Sequence, residues 1–211
     1  MHHPTKVVAI MAIVVATIGA AAEEWNGCDS PWLDRRIASC TKLIETPGID
    51  PTRLAGAFAR RGFSYLKFGQ YKRAIHDYDE AIRISPRFAA ALNNRAMAYL
   101  WLGKPAQGMP DVAKAIEIAP RVPHFNATRG QISQSLGDQQ GAIRDHNAAV
   151  AVGGTPWVKL YQCGLKLAQL YHGPIDGIVH PELRTAIRLC VDKGSNCDPL
   201  PPDLECSEPV G

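Results

Sequence analysis

The residues best able to do chemistry in this 211-residue chain are six cysteines: Cys28, Cys40, Cys163, Cys190, Cys197 and Cys206. Thiolates can hold a metal, attack an electrophile or oxidise in pairs, and their spacing separates these roles. No two of them form C-x-x-C, so neither a zinc-ligand pair nor a haem attachment signature is present. An even number favours disulfides, provided the chain leaves the reducing cytosol. The histidines offer no competing centre. His124, His172 and His180 are scattered singly, and His76 beside Asp77 and Asp79, or His146 beside Asp145, read as solvated or inter-repeat polar groups. G-x-S-x-G, H-E-x-x-H, the phosphate-binding G-x-x-x-x-G-K-[ST] and G-x-G-x-x-G are all missing. The sequence therefore predicts no catalytic residue, no metal site and no cofactor, and the chain is not read as an enzyme.

Export is the expectation that the amino terminus raises. Lys6 precedes an uncharged run from Val7 to Ala22, which closes on Gly19-Ala20-Ala21-Ala22 before Glu23-Glu24. A cation, a short apolar stretch and small residues at its end describe a secretory signal, here residues 1–22. Spanning a bilayer takes about 20 apolar residues, so cleavage rather than stable membrane insertion is expected, with the product periplasmic or secreted. The rest is ordinary for a folded protein, at 46 % hydrophobic and 20 % charged residues. A net charge of +3 without a Lys/Arg block argues against nucleic acid as a partner.

The elements that position these residues show themselves by repetition. Residues 55–87 and 89–121 superpose with a shift of 34: Tyr65 on Tyr99, Gly69 on Gly103, Ala81-Ile82 on Ala115-Ile116, Pro86 on Pro120. Gly62 is answered by Ala96 and Ala74 by Gly108, which places small residues where two helices must approach closely. Phe58, Gly62, Tyr65 and Leu66 recur at helical spacing, Gly69 breaks that helix, and Ala74, Ile75, Tyr78, Ala81 and Ile82 form a second stripe that Pro86 ends. A single hairpin cannot bury both faces, so such units stack. The pattern resembles the tetratricopeptide-repeat (TPR) family. That resemblance implies an all-α helical-hairpin solenoid with repeats at 55–88 and 89–122 and a degenerate one at 123–154, where Ser133 and Gly154 replace the usual Tyr and Pro. Upstream, within 23–54, Arg36 to Ile44 resembles the second helix of a repeat, Cys40 standing where Tyr78 does. A Cys28–Cys40 disulfide would staple that incomplete hairpin.

After Thr155-Pro156 the pattern changes. Leu160, Leu167 and Leu170 form one stripe and Leu183, Ala186, Ile187 and Cys190 another, around Gly173-Pro174-Ile175-Asp176-Gly177. In that turn Asp176 can bond backbone amides and Gly177 can take positive φ. Gln162, Leu165, Tyr171, Gly173, Ile175, Asp176, Gly177, Arg184, Ala186 and Ile187 resemble the peptidoglycan-binding-domain-like helical family; Gln169, His180 and Leu183 depart from it. The resemblance implies a small disulfide-tied helical module over 155–195, followed by a Pro/Cys-rich tail at 196–211, with Tyr171, Asp176, Gly177 and Arg184 as glycan-binding or turn residues. The four cysteines of this part can pair in three ways. If its two helices are antiparallel, Cys163 approaches Cys190, leaving Cys197 with Cys206.

The TPR resemblance also implies a groove lined by the first helix of each repeat. Read onto this chain, it comprises Arg60, Phe63, Lys67, Asn93, Asn94, Met97, Trp101 and Gln131, an apolar centre with amide and cationic edges that suits an extended peptide. The expected function is a scaffold or adaptor for a protein or peptide partner. The alternative is a cell-wall protein whose last module holds peptidoglycan to localise a partner.

Overall fold

The computed structural model describes residues 28–195, 197 and 199. Residues 1–22, expected from the sequence to be a signal, and Cys206 lie outside them. Every regular element among the described residues is a helix, and none is long and apolar enough to cross a membrane. The chain divides into two compact units between Ala91 and Leu92.

The first unit contains α1 (Leu33–Ile44), α2 (Pro51–Lys67) and α3 (Tyr71–Ile84). Helix α2 begins at Pro51, ahead of the Ala55 boundary that the repeat suggests. The cause is local: the Asp50 side chain accepts the Arg53 N–H at 3.1 Å, and a proline suits a first helical turn. Gly69 takes φ +70 and ends the helix. Helix α3 then returns along α2. Their closest approach is at Gly62, where an added Cβ would stand 3.1 Å from the ring of fully buried Tyr78. Helix α1 packs on α2. The Cys28–Cys40 disulfide joins Leu43 and Ala57 in a small core.

The second unit holds most of α4 (Ala89–Trp101), then α5 (Pro105–Ile118), α6 (Pro123–Ser135), α7 (Gln139–Val152), α8 (Gly154–Leu167) and α9 (Pro181–Asp192). Gly103 and Gly137, at φ +77 and +82, end α4 and α6 as Gly69 ends α2. At the α4–α5 crossing a Cβ on Gly108 would meet the Ala96 carbonyl oxygen at 2.8 Å. At the α6–α7 crossing Gly130 lies against the His146 imidazole, which occupies the place of Tyr78 in the repeat. His146 is not solvated: it is fully buried, with Nδ1 2.9 Å from the hydroxyl of Tyr161 on the helix that follows the third repeat. The main core continues through Val150, Trp157, Tyr161 and Leu165 to Leu183, Ile187 and Val191.

Two readings of the last module are corrected. Cys190 pairs with Cys197, not with Cys163. The chain turns at Gly194 (φ +64) immediately after α9 and brings Cys197 back to the helix that carries Cys190. Cys163 is itself disulfide-bonded. In α8 the buried stripe is Trp157, Tyr161 and Leu165, four residues apart, whereas Leu167 is 60 % exposed.

Candidate functional site

Each hairpin is clamped by the same ion pair. The Arg61 guanidinium grips Asp77 through two bonds of 2.8 Å, Arg95 grips Asp111 through two of 2.7 Å, and Arg129 grips Asp145 at 3.0 and 2.6 Å. The carboxylates are largely covered, and the Arg61 bond with Asp77 holds that guanidinium above its ordinary pKa. Arg61 also donates to the Thr41 hydroxyl of α1 at 3.0 Å. Held this way, α2, α4 and α6 form stiff supports for the residues they expose. The ladder repeats every 34 residues and so carries a sequence signal of its own, one that the more conspicuous Gly, Tyr and Pro positions overshadow.

The groove residues are treated unequally. In the first unit, Phe63 lies between two cations, with the Arg36 guanidinium 5.8 Å and the Lys67 ammonium 5.6 Å from the ring centroid. Arg60 Nε meets an Asp29 carboxylate oxygen at 2.5 Å. In the second unit, Trp101 (42 % exposed) and Gln131 line one cleft of about 540 Å³ with Leu100, Gln134 and the Gly194–Ser195 backbone. Gln134 Nε2 donates to the Ser195 carbonyl at 2.9 Å, which ties the segment after α9 to α6. Met97 and Asn94 are half-buried. Asn93 is a correction. It is only 4 % exposed, and its amide nitrogen reaches Asn94 Oδ1 and Met97 Sδ, so it sits beneath the surface rather than on it.

The residues taken from the last module's resemblance make its turn. Buried Gln162, absent from the predicted site, holds it: Nε2 donates to Asp176 Oδ1 at 3.0 Å and to the Ile178 carbonyl at 2.9 Å, while Oε1 accepts the Gly177 N–H at 2.8 Å. Asp176 also accepts the Ile178 N–H at 2.9 Å and contacts His180 Nε2 at 2.7 Å. The His180 bond, then that from Gln162, hold Asp176 well below the usual carboxylate range. Gly177 has φ +80. Tyr171 is 1 % exposed and donates to the Pro174 carbonyl at 2.9 Å; burial raises its hydroxyl pKa. Arg184 is exposed, 3.5 Å from Asn147 Oδ1. No group of three or more His, Cys, Asp or Glu among the described residues is arranged to hold a metal.

Residues 62–103, from the end of the first hairpin's opening helix to the end of the next one's, match the TPR repeat family. MamA from Desulfovibrio magneticus RS-1 aligns at a TM-score of 0.57 and 13 % identity, over 71 % of this chain and 83 % of that one. The fold is that of a tetratricopeptide-repeat protein. A thermophilic TPR protein of Thermus thermophilus agrees, at a TM-score of 0.54 and 19 % identity over 65 % of this chain and 74 % of that one. No curated protein matches the sequence. At such identities the likeness is one of architecture, and the Arg–Asp clamps and open helix faces of this chain must be read from its own residues.

Proposed function

We propose that the chain is a scaffold that holds a protein partner on the exposed residues of its TPR helices, outside the cytosol. The observation that carries the reading is the cleft where Trp101, Leu100 and Gln131 meet. A half-exposed indole supplies contact area at small entropic cost, and a neighbouring amide can pair with the backbone of an extended peptide. Rigid ion-pair clamps behind α4 and α6 keep that surface in shape before a partner arrives, which lowers the ordering cost of binding. Export is supported by the buried Cys28–Cys40 and Cys190–Cys197 disulfides, since such bonds persist in oxidising compartments.

The test is crosslinking in the source cell, followed by identification of the attached protein, with wild type and a Trp101→Ala, Gln131→Ala double mutant side by side. A defined partner lost from the mutant supports the scaffold. A partner retained in full removes this cleft from the reading. Export is tested on chain isolated from those cells under denaturation: maleimide labelling of most cysteines without reductant would refute it.

The cell-wall alternative draws less support, because Tyr171, Asp176 and Gly177 are consumed in holding the turn. Sedimentation with purified peptidoglycan decides it; the full chain pelleting while a version ending at Gly154 stays in solution would establish it.

A further inference from the structure

The first unit carries a second cleft, of about 440 Å³, between the opening turn of α2 and the segment that follows α3. Arg53, Arg60 and Arg87 line it, with Thr52, Ala55, Gly56, Ser85 and Phe88 completing the wall and no Asp or Glu among them. Three guanidiniums around one concavity raise the local positive potential, which low-dielectric walls focus. One of the three, Arg60, is paired with the carboxylate of Asp29, which a peptide carboxylate would have to displace or join.

From this charge complementarity we infer that the cleft receives carboxylate side chains of an acidic, partly apolar peptide segment of the partner protein. The inference rests on the scaffold reading and supplies the partner's chemistry. Guanidiniums give carboxylates paired, directional bonds. Ala55, Gly56 and the Phe88 ring leave an apolar floor on which the aliphatic neighbours of those carboxylates can lie, a floor that a free inorganic anion would leave unused. Arg87 is exposed, and Arg53 and Arg60 are half-exposed, so none must be unburied for the peptide to arrive.

Fluorescence anisotropy of the whole chain tests this with three labelled octapeptides: alternating Leu and Glu, the same with Gln for Glu, and the same with phosphoserine for Glu. The expected result is saturable binding of the Glu peptide that weakens as NaCl is raised from about 50 to about 500 mM. Arg53→Gln with Arg87→Gln should weaken it about tenfold, roughly 1.4 kcal/mol. Should that pair fail to fold, the salt dependence and the comparison of Glu with Gln peptide on the unaltered chain still decide. No binding of the Glu peptide, equal binding of the Gln peptide, indifference to both arginines, or binding of the phosphoserine peptide alone overturns the inference. The titration judges the arginine cleft and the crosslinking judges the scaffold, so each can fail without the other.

Discussion

Arg95 and Asp111 face each other across the α4–α5 hairpin through two bonds of 2.7 Å, with side chains only 20 % and 12 % exposed. The pairs Arg61–Asp77 and Arg129–Asp145 repeat that relationship one repeat earlier and later. A covered ion pair gains little over an apolar pair of the same shape, but a covered charge without its partner is costly. Arg95→Met alone should therefore cost about 3 kcal/mol in urea unfolding, while Arg95→Met with Asp111→Leu should regain most of it. Equal losses for the single and double mutants would mean that packing, not charge, sets the value of the pair.

The Gly108 site tests the close approach of helices. A methyl there would stand 2.8 Å from the Ala96 carbonyl oxygen and 3.0 Å from its Cα, and backbone cannot step aside as a flexible side chain can. Gly108→Ala gains about 1 kcal/mol of helix propensity. Forcing the crossing apart costs about 1–3 kcal/mol. The net expectation is a loss, read as a lower urea midpoint, and a raised midpoint would show that α4 and α5 slide freely.

What the sequence reveals and what it hides follow from the range of each interaction. Gly62, Ala74, Gly108 and Pro86 obey local backbone and packing rules that recur every repeat, so the hairpins can be read directly. The Cys28–Cys40 pairing is legible because the repeat places both ends of a short loop. The geometry of two antiparallel helices points Cys190 to Cys163 instead of the nearer Cys197, because a turn at Gly194 leaves only the mark of one glycine. Asn93 reads as part of the open face, yet a shift of one position along a helix turns a side chain by about 100°. The role of Gln162 depends on where a turn fourteen residues away comes to rest, which no periodicity reports.

Gln169 is the single non-glycine residue with positive φ among the described residues, at φ +57 just past α8. A side chain in this left-handed region costs about 1 kcal/mol, and Gln169 is exposed, with no packing to lose. Gln169→Gly should accordingly raise stability by at most about 0.5 kcal/mol once the greater freedom of unfolded glycine is subtracted. A calorimetric midpoint that rises by about one to two degrees confirms the strain; one that falls shows that the glutamine amide stabilises the turn.

The buried His146 sets a pH dependence whose sign can be worked out. Desolvation lowers its pKa from the usual 6.5 to about 4, because Gly130, Tyr161 and the α7 core leave no water to hydrate a cation. Asp145, its neighbour in sequence, is already paired with Arg129 at 2.6 Å. In the unfolded chain the imidazole titrates near 6.5, so above that pH neither state binds the proton and the site costs nothing. As pH falls below 6.5 the unfolded state takes up a proton that the folded state refuses, and stability declines by up to about 1.4 kcal/mol per pH unit until folded His146 itself protonates near 4. The whole loss is on the order of 3 kcal/mol. Urea unfolding at about pH 7, 6 and 5, on the native chain and on His146→Phe, isolates this residue from the carboxylates, which titrate lower. Across that range the native chain should lose about 1 kcal/mol or more in excess of the loss shown by His146→Phe. Parallel curves would mean that His146 binds its proton within the fold, with its Nε2 reaching water through an opening of α8 from α6 and α7.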